Sequence, residues 1–224
     1  SSAFNFSRML FGDGTGALAK ITAVPSSGDT EYTVDSTINL AEGMVVDIYT
    51  GDTRDTAGAV IASVDRAANK IAFEGTVSGA ANNDVIYLQN SKGLEITGLK
   101  AIFEADELYG IERTGKSWLT PYTKASFGAM SEEALQEAID GVEEYGGGKV
   151  NFIVCSRGVR RKLISELSAY RKTDSVDLAG GYRALSFNGI PVVADRFCPA
   201  GTMYLLNTND FGLHQLCDWQ WLEG

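Results

Sequence analysis

The repeat of apolar residues changes its period at about residue 90, and that change constrains the fold more than any motif does. Between residues 20 and 90 the chain reads in twos. Short runs of Val, Ile, Thr and Tyr are broken by Gly, Asn and Asp, the pattern of half-buried strands joined by tight turns. Strands are expected at 20–24, 32–34, 45–49, 60–64, 70–73 and 85–88, with turns at Ser26-Ser27-Gly28-Asp29 and Asp65-Arg66-Ala67-Ala68-Asn69. Such a segment suits a small barrel or sandwich closing on itself.

Beyond residue 90 the period lengthens. Ser131 is placed to cap a helix whose first turn holds Glu132 and Glu133. Leu135, Ala138, Ile139 and Val142 follow at i, i+3, i+4 and i+7, one apolar stripe, and Gly146-Gly147-Gly148 stops it. A short apolar strand ends at Cys155. Ser156 caps a second helix with the stripe Val159, Leu163, Leu167 and Tyr170. Asn188-Gly189 marks a hairpin, and Pro199-Ala200-Gly201 turns into a further strand. Helices and strands in this order predict an α+β class. Three regions follow: 1–19, a helix end and linker closed by Gly12-Asp13-Gly14-Thr15-Gly16; 20–90, an inserted all-β domain; and 91–224, the main α+β domain.

Charge excludes some functions. Acids outnumber bases 29 to 19 and the formal net charge is −10. A protein that grips nucleic acid through its phosphates needs the opposite balance. No sequence-specific nucleic-acid partner is expected, and no apolar run approaches the roughly 20 residues needed to span a bilayer. Cys155, Cys198 and Cys217 lack metal-ligand or redox spacing and read as reduced thiols. The chain starts without Met and stops at Trp221-Leu222-Glu223-Gly224, so it reads as a piece of a longer protein.

Two stretches mimic catalytic motifs. Gly110-Ile111-Glu112-Arg113-Thr114-Gly115-Lys116-Ser117 matches the phosphate loop G-x-x-x-x-G-K-S, which needs a buried strand before it and a helix starting at the lysine. Here Glu104-Ala105-Asp106-Glu107 precedes it and Pro121 follows, so a chance match is expected. Cys155-Ser156-Arg157-Gly158-Val159-Arg160-Arg161 matches the C-x5-R loop of thiol phosphatases, with Cys155 as nucleophile and Arg161 on the anion. One glycine is too few to wrap an anion, and the arginines fall at helical spacing. His214 has no metal-ligand or triad partner nearby in the sequence. No catalytic residue, cofactor or metal is expected.

Four stretches together resemble the major capsid proteins of tailed bacteriophages and prophages. They are Arg8-Met9-Leu10-Phe11-Gly12-Asp13-Gly14-Thr15-Gly16; Tyr109-Gly110-Ile111-Glu112-Arg113 with Trp118-Leu119-Thr120-Pro121; the two helices flanking Phe152-Ile153-Val154-Cys155-Ser156; and Phe187-Asn188-Gly189-Ile190-Pro191-Val192-Val193-Ala194-Asp195 through Gly201-Thr202-Met203-Tyr204-Leu205-Leu206-Asn207. The resemblance implies the tailed-phage capsid fold, an axial domain plus part of a peripheral domain, with the N-terminal arm, extended loop and most of the spine helix lying before Ser1. It implies a non-enzymatic shell protein of the virion, made in the bacterial cytoplasm and assembling as pentamers and hexamers around phage DNA. Scaffold, portal or decoration proteins would be further partners. A cargo-holding, encapsulin-like nanocompartment shell is the related alternative; a thiol phosphatase at Cys155 and a β-rich binding or adhesion module over 20–90 with a carrier domain are the unrelated ones. Inter-subunit contacts are expected at Arg157, Arg160 and Arg161, facing Glu132, Glu133 and Glu137 of the next copy, and in an axial loop over 171–183 carrying Arg171, Lys172, Asp174 and Arg183. The β-rich insertion is expected on the outer surface, bracing subunits.

Overall fold

The structure is a computed structural model that describes residues 2–26, 29–169, 174–178, 182–212 and 214. The chain divides into two compact units, Ser1–Pro121 and Tyr122–Gly224. Residues 91–121 therefore belong with the β-rich part, not with the helices that follow.

The first unit opens with helix α1 (Ser2–Leu10) and continues through six strands: β1 (Ala17–Ala23), β2 (Glu31–Val34), β3 (Val45–Thr50), β4 (Thr53–Asp65), β5 (Lys70–Phe73) and β6 (Val85–Leu88). They close into an antiparallel barrel in the order β1-β2-β5-β4-β3-β6. Alternation drives the closure. In β2 and β5 every second residue is buried, and the inward set Ile21, Val34, Val46, Ile48, Ile61, Ile71 and Ile86 is almost wholly removed from water. Each such side chain contributes roughly 1.5–3 kcal/mol of transfer free energy. The expected strand at 60–64 is only the second half of β4. Its first half carries Thr, Asp and Gly, which hid it from a propensity reading. The β3–β4 register shifts next to Asp47, whose Oδ1 accepts the Gly58 N–H at 2.9 Å. Asp47 Oδ2 accepts the Asn90 N–H at 3.0 Å, so this buried carboxylate is satisfied where the long strand bends.

The chain enters and leaves the barrel through one clasp. Gly93 N–H donates to Thr15 O at 2.7 Å, tying the exit to the entry. Arg8 and Glu95, with side chains 4% and 6% exposed, form a two-pronged ion pair, one arm from Nη1 to Oε2 at 2.8 Å. Gly98 then passes against the end of α1. A Cβ there would lie 2.6 and 2.7 Å from the carbonyl oxygens of Gly12 and Leu10, and closer still to that of Met9. After the clasp come α2 (Leu99–Glu104), a hairpin of β7 (Glu107–Leu108) and β8 (Ile111–Glu112), and a 3-10 turn, Ser117–Leu119.

The second unit holds α3 (Glu132–Gly146), β9 (Phe152–Cys155), α4 (Arg157–Ala169), β10 (Asp174–Leu178), β11 (Tyr182–Phe187), β12 (Ile190–Ala194) and β13 (Met203–Leu206). The sheet order is β10-β11-β12-β9-β13, antiparallel except for β12 beside β9. Both caps form as the sequence asks. Ser131 Oγ accepts the Ala134 N–H at 3.1 Å, and Gly147, in the left-handed region at φ 68°, returns its N–H to Glu143 O. Leu135 and Ile139 from α3, Leu163 and Leu167 from α4, and Ile153, Phe187 and Val192 from the sheet form one buried cluster. Residues 174–178 and 182–187 pair as antiparallel strands, which corrects the expected loop at those positions; 171–173 and 179–181 lie outside the described residues. Asp, Ser, Lys and Gly dominate the composition there and concealed the period of two in Ser175-Val176-Asp177-Leu178. The class is thus α+β. Among the described residues, no helix is long and apolar enough to cross a membrane.

Candidate functional site

Each motif look-alike turns one key residue into the fold, Arg113 in the first and Cys155 in the second. Tyr109 (φ 54°) and Gly110 (φ 77°) make the tight turn of the β7–β8 hairpin. Arg113, 8% exposed, sends Nη1 to Ala105 O at 2.8 Å and Nη2 to Ile102 O at 2.6 Å and Leu119 O at 3.0 Å. The guanidinium therefore caps the carbonyl end of α2 and anchors the 3-10 turn. Lys116 Nζ donates to Glu112 O at 2.8 Å. A phosphate loop aims N–H groups at an anion; this segment aims carbonyls at its own cations.

Cys155 is fully buried at the end of β9. Burial pushes its thiol up to about 11, against the lowering pull of Arg160. Cys198, also buried, is pushed up to about 12 by burial and by neighbouring Cys155 and Asp195. Both are protonated at neutral pH, and the thiolate is the nucleophile. The turn that would hold an anion is engaged elsewhere: Ser156 Oγ accepts N–H groups from Val159 at 3.5 Å and Gly201 at 3.2 Å. The geometry thus gives the Cys155–Arg161 phosphatase reading no support. Cys217 lies outside the described residues.

Charge stands outward on two helices of the second unit. Arg157 and Arg161 are exposed and Arg160 half-buried, at i, i+3 and i+4 in the first turns of α4, which holds no acid in its first turn. Cations at the positive end of a helix dipole destabilise it, and like charges at this spacing repel. None of the three is in an ion pair with a described residue.

On α3 the opposite charge accumulates. Glu133, Glu137, Asp140 and Glu144 are all exposed, at i, i+4, i+7 and i+11, so they form one column. They edge a groove of about 910 Å³ with Glu166 of α4 on its wall and Tyr122, Tyr145 and Phe187 as its apolar part. Tyr122 lies directly on α3: a Cβ at Gly141 would sit 2.6 Å from the tip of its ring, so a larger residue there would push the ring aside. The Tyr122 and Tyr145 rings lie 5.7 Å apart, and Tyr145 is 73% exposed. Lys124 Nζ meets Glu137 at 2.8 Å.

Of the expected contact residues, Arg157, Arg160 and Arg161 share one turn. The backbone of Asp174 pairs with Ser186 and that of Arg183 with Asp177, with their side chains outside the described set. Arg171 and Lys172 lie outside the described residues. The groove was missed. Its acidic column was readable as a spacing, but Tyr122 and Glu166 come from distant segments that only folding brings to α3. Comparison with family models, curated proteins and solved structures gives no match.

Proposed function

We propose that this chain is a shell subunit, the major capsid protein of a tailed phage or prophage, and that it works by tiling against copies of itself. The observation that carries the reading is where the charge lies. One residue of each catalytic look-alike, Arg113 and Cys155, is held inside the fold, while charge of both signs, only Glu137 of it in an ion pair with a described residue, stands outward on α3 and α4. A shell protein needs that distribution, because each copy presents one patch to a different patch on its neighbour. The barrel on its clasp supports the same reading: an insertion must enter and leave at one place, and Arg8–Glu95 and Thr15–Gly93 hold the two ends together. Localisation in the virion and assembly as pentamers and hexamers follow from the reading.

Electron microscopy of the full-length protein expressed alone tests it. Closed shells or capsomer rings are expected; dispersed single subunits under every condition would overturn it. A phosphatase assay with Cys155→Ser as control addresses the competing reading, and activity lost in that variant would favour the enzyme.

A further inference from the structure

We infer that the groove beside α3 receives the first turns of α4 from a second copy, so that Arg157, Arg160 and Arg161 of one subunit enter between Tyr145 and the acidic column of the next. This rests on the self-tiling reading and names its partner surfaces.

Both faces work against their own helices. The arginines crowd the positive end of α4, and Asp140 and Glu144 extend an acidic column toward the negative end of α3, where no basic residue occurs in the last turn. Glu132 and Glu133 need no such partner, because the first turn of α3 favours acids. Glu137 is already engaged by Lys124. Asp140 accepts the Gln136 side-chain amide at 2.8 Å, and among the described residues no cation pairs with it or with Glu144, so the place for positive charge is one to two turns further along than the sequence suggests. Exposed Tyr145 beside Glu144 offers a ring face to a guanidinium, and Arg with Tyr is the pair that interface centres favour. Within one copy the faces do not meet in any ion pair among the described residues. Two complementary, different patches on each subunit make a head-to-tail contact, the kind that forms a ring where the rotation between copies closes. Complementary charge of this kind fixes register and orientation.

Reciprocal charge reversal in the full-length protein tests the pairing, read by sedimentation equilibrium at low and high salt. Arg160→Glu with Arg161→Glu, and separately Asp140→Lys with Glu144→Lys, are each expected to weaken association by about tenfold or more. The variant carrying all four changes is expected to recover most of the loss, which also shows that the reversed faces still fold. Wild-type association should weaken as salt rises. Wild-type association untouched by either reversal would overturn this pairing and leave the self-tiling reading standing. Loss in both pairs with no recovery in the fourfold variant would also overturn it. No association of the wild type would remove the self-tiling reading and this inference with it.

Discussion

Arg113 shows how one residue can look like chemistry and act as architecture. Its guanidinium meets carbonyls from α2 and from Leu119, with no carboxylate among its acceptors in the described residues. Removing it leaves those buried acceptors unpaired, so Arg113→Met should cost about 3 kcal/mol, measured as a lower urea midpoint. Lys at this position should rescue only part, since one ammonium cannot span the fork. The thiols make a second residue-scale case. Cys155 and Cys198 hold their protons more tightly folded than unfolded, with about 11 and about 12 against an ordinary 9.0. Their contribution to stability is complete below the ordinary value and is lost as the pH rises through the folded ones. Stability should fall above about pH 9 from this source. In Cys155→Ala and Cys198→Ala, that alkaline slope should flatten. Alkylation of native protein at neutral pH should be slow until the chain unfolds.

At the scale of elements, the clasp and the caps govern how the pieces join. Gly98 is fixed by three carbonyl oxygens at the end of α1. Gly98→Ala should cost about 2 kcal/mol or more, because the backbone must move to admit a methyl group. Gly110, in the left-handed region with open space around it, should cost only about 1 kcal/mol when changed to Ala. Thermal melts of the two variants separate close approach from backbone strain. Elements with a local signal were legible in the chain. Ser131, the stripe Leu135-Ala138-Ile139-Val142 and Gly147 specified α3, and Asn188-Gly189, both at positive φ, specified the β11–β12 hairpin. Elements defined by long-range pairing were not. The first half of β4 exists because β3 pairs with it around Gly51-Asp52, and β10 exists because β11 does. Propensity carries no information about such partners. The groove on α3 was half legible for the same reason: its acidic column is local, and Tyr122, Phe187 and Glu166 are not.

At the scale of the whole molecule, the residues that fold the chain are distinct from those left at its surface. Two buried clusters, one in the barrel and one under α3 and α4, are each complete in apolar residues. Exposed charge and the exposed ring of Tyr145 lie outside both clusters, where the proposed tiling would use them. Deleting 20–90 and joining the ends with a short linker should preserve a cooperative unfolding transition, while particles formed by the deletion variant lose stability or closure. Normal, equally stable particles from that deletion would remove the bracing role proposed for the barrel. The central claim is that these outer surfaces exist to meet copies of themselves. Native mass spectrometry of the full-length protein, counting subunits in each species, tests it most directly. Rings of five and six subunits are the predicted species; a monomer alone at every concentration and salt would contradict the account.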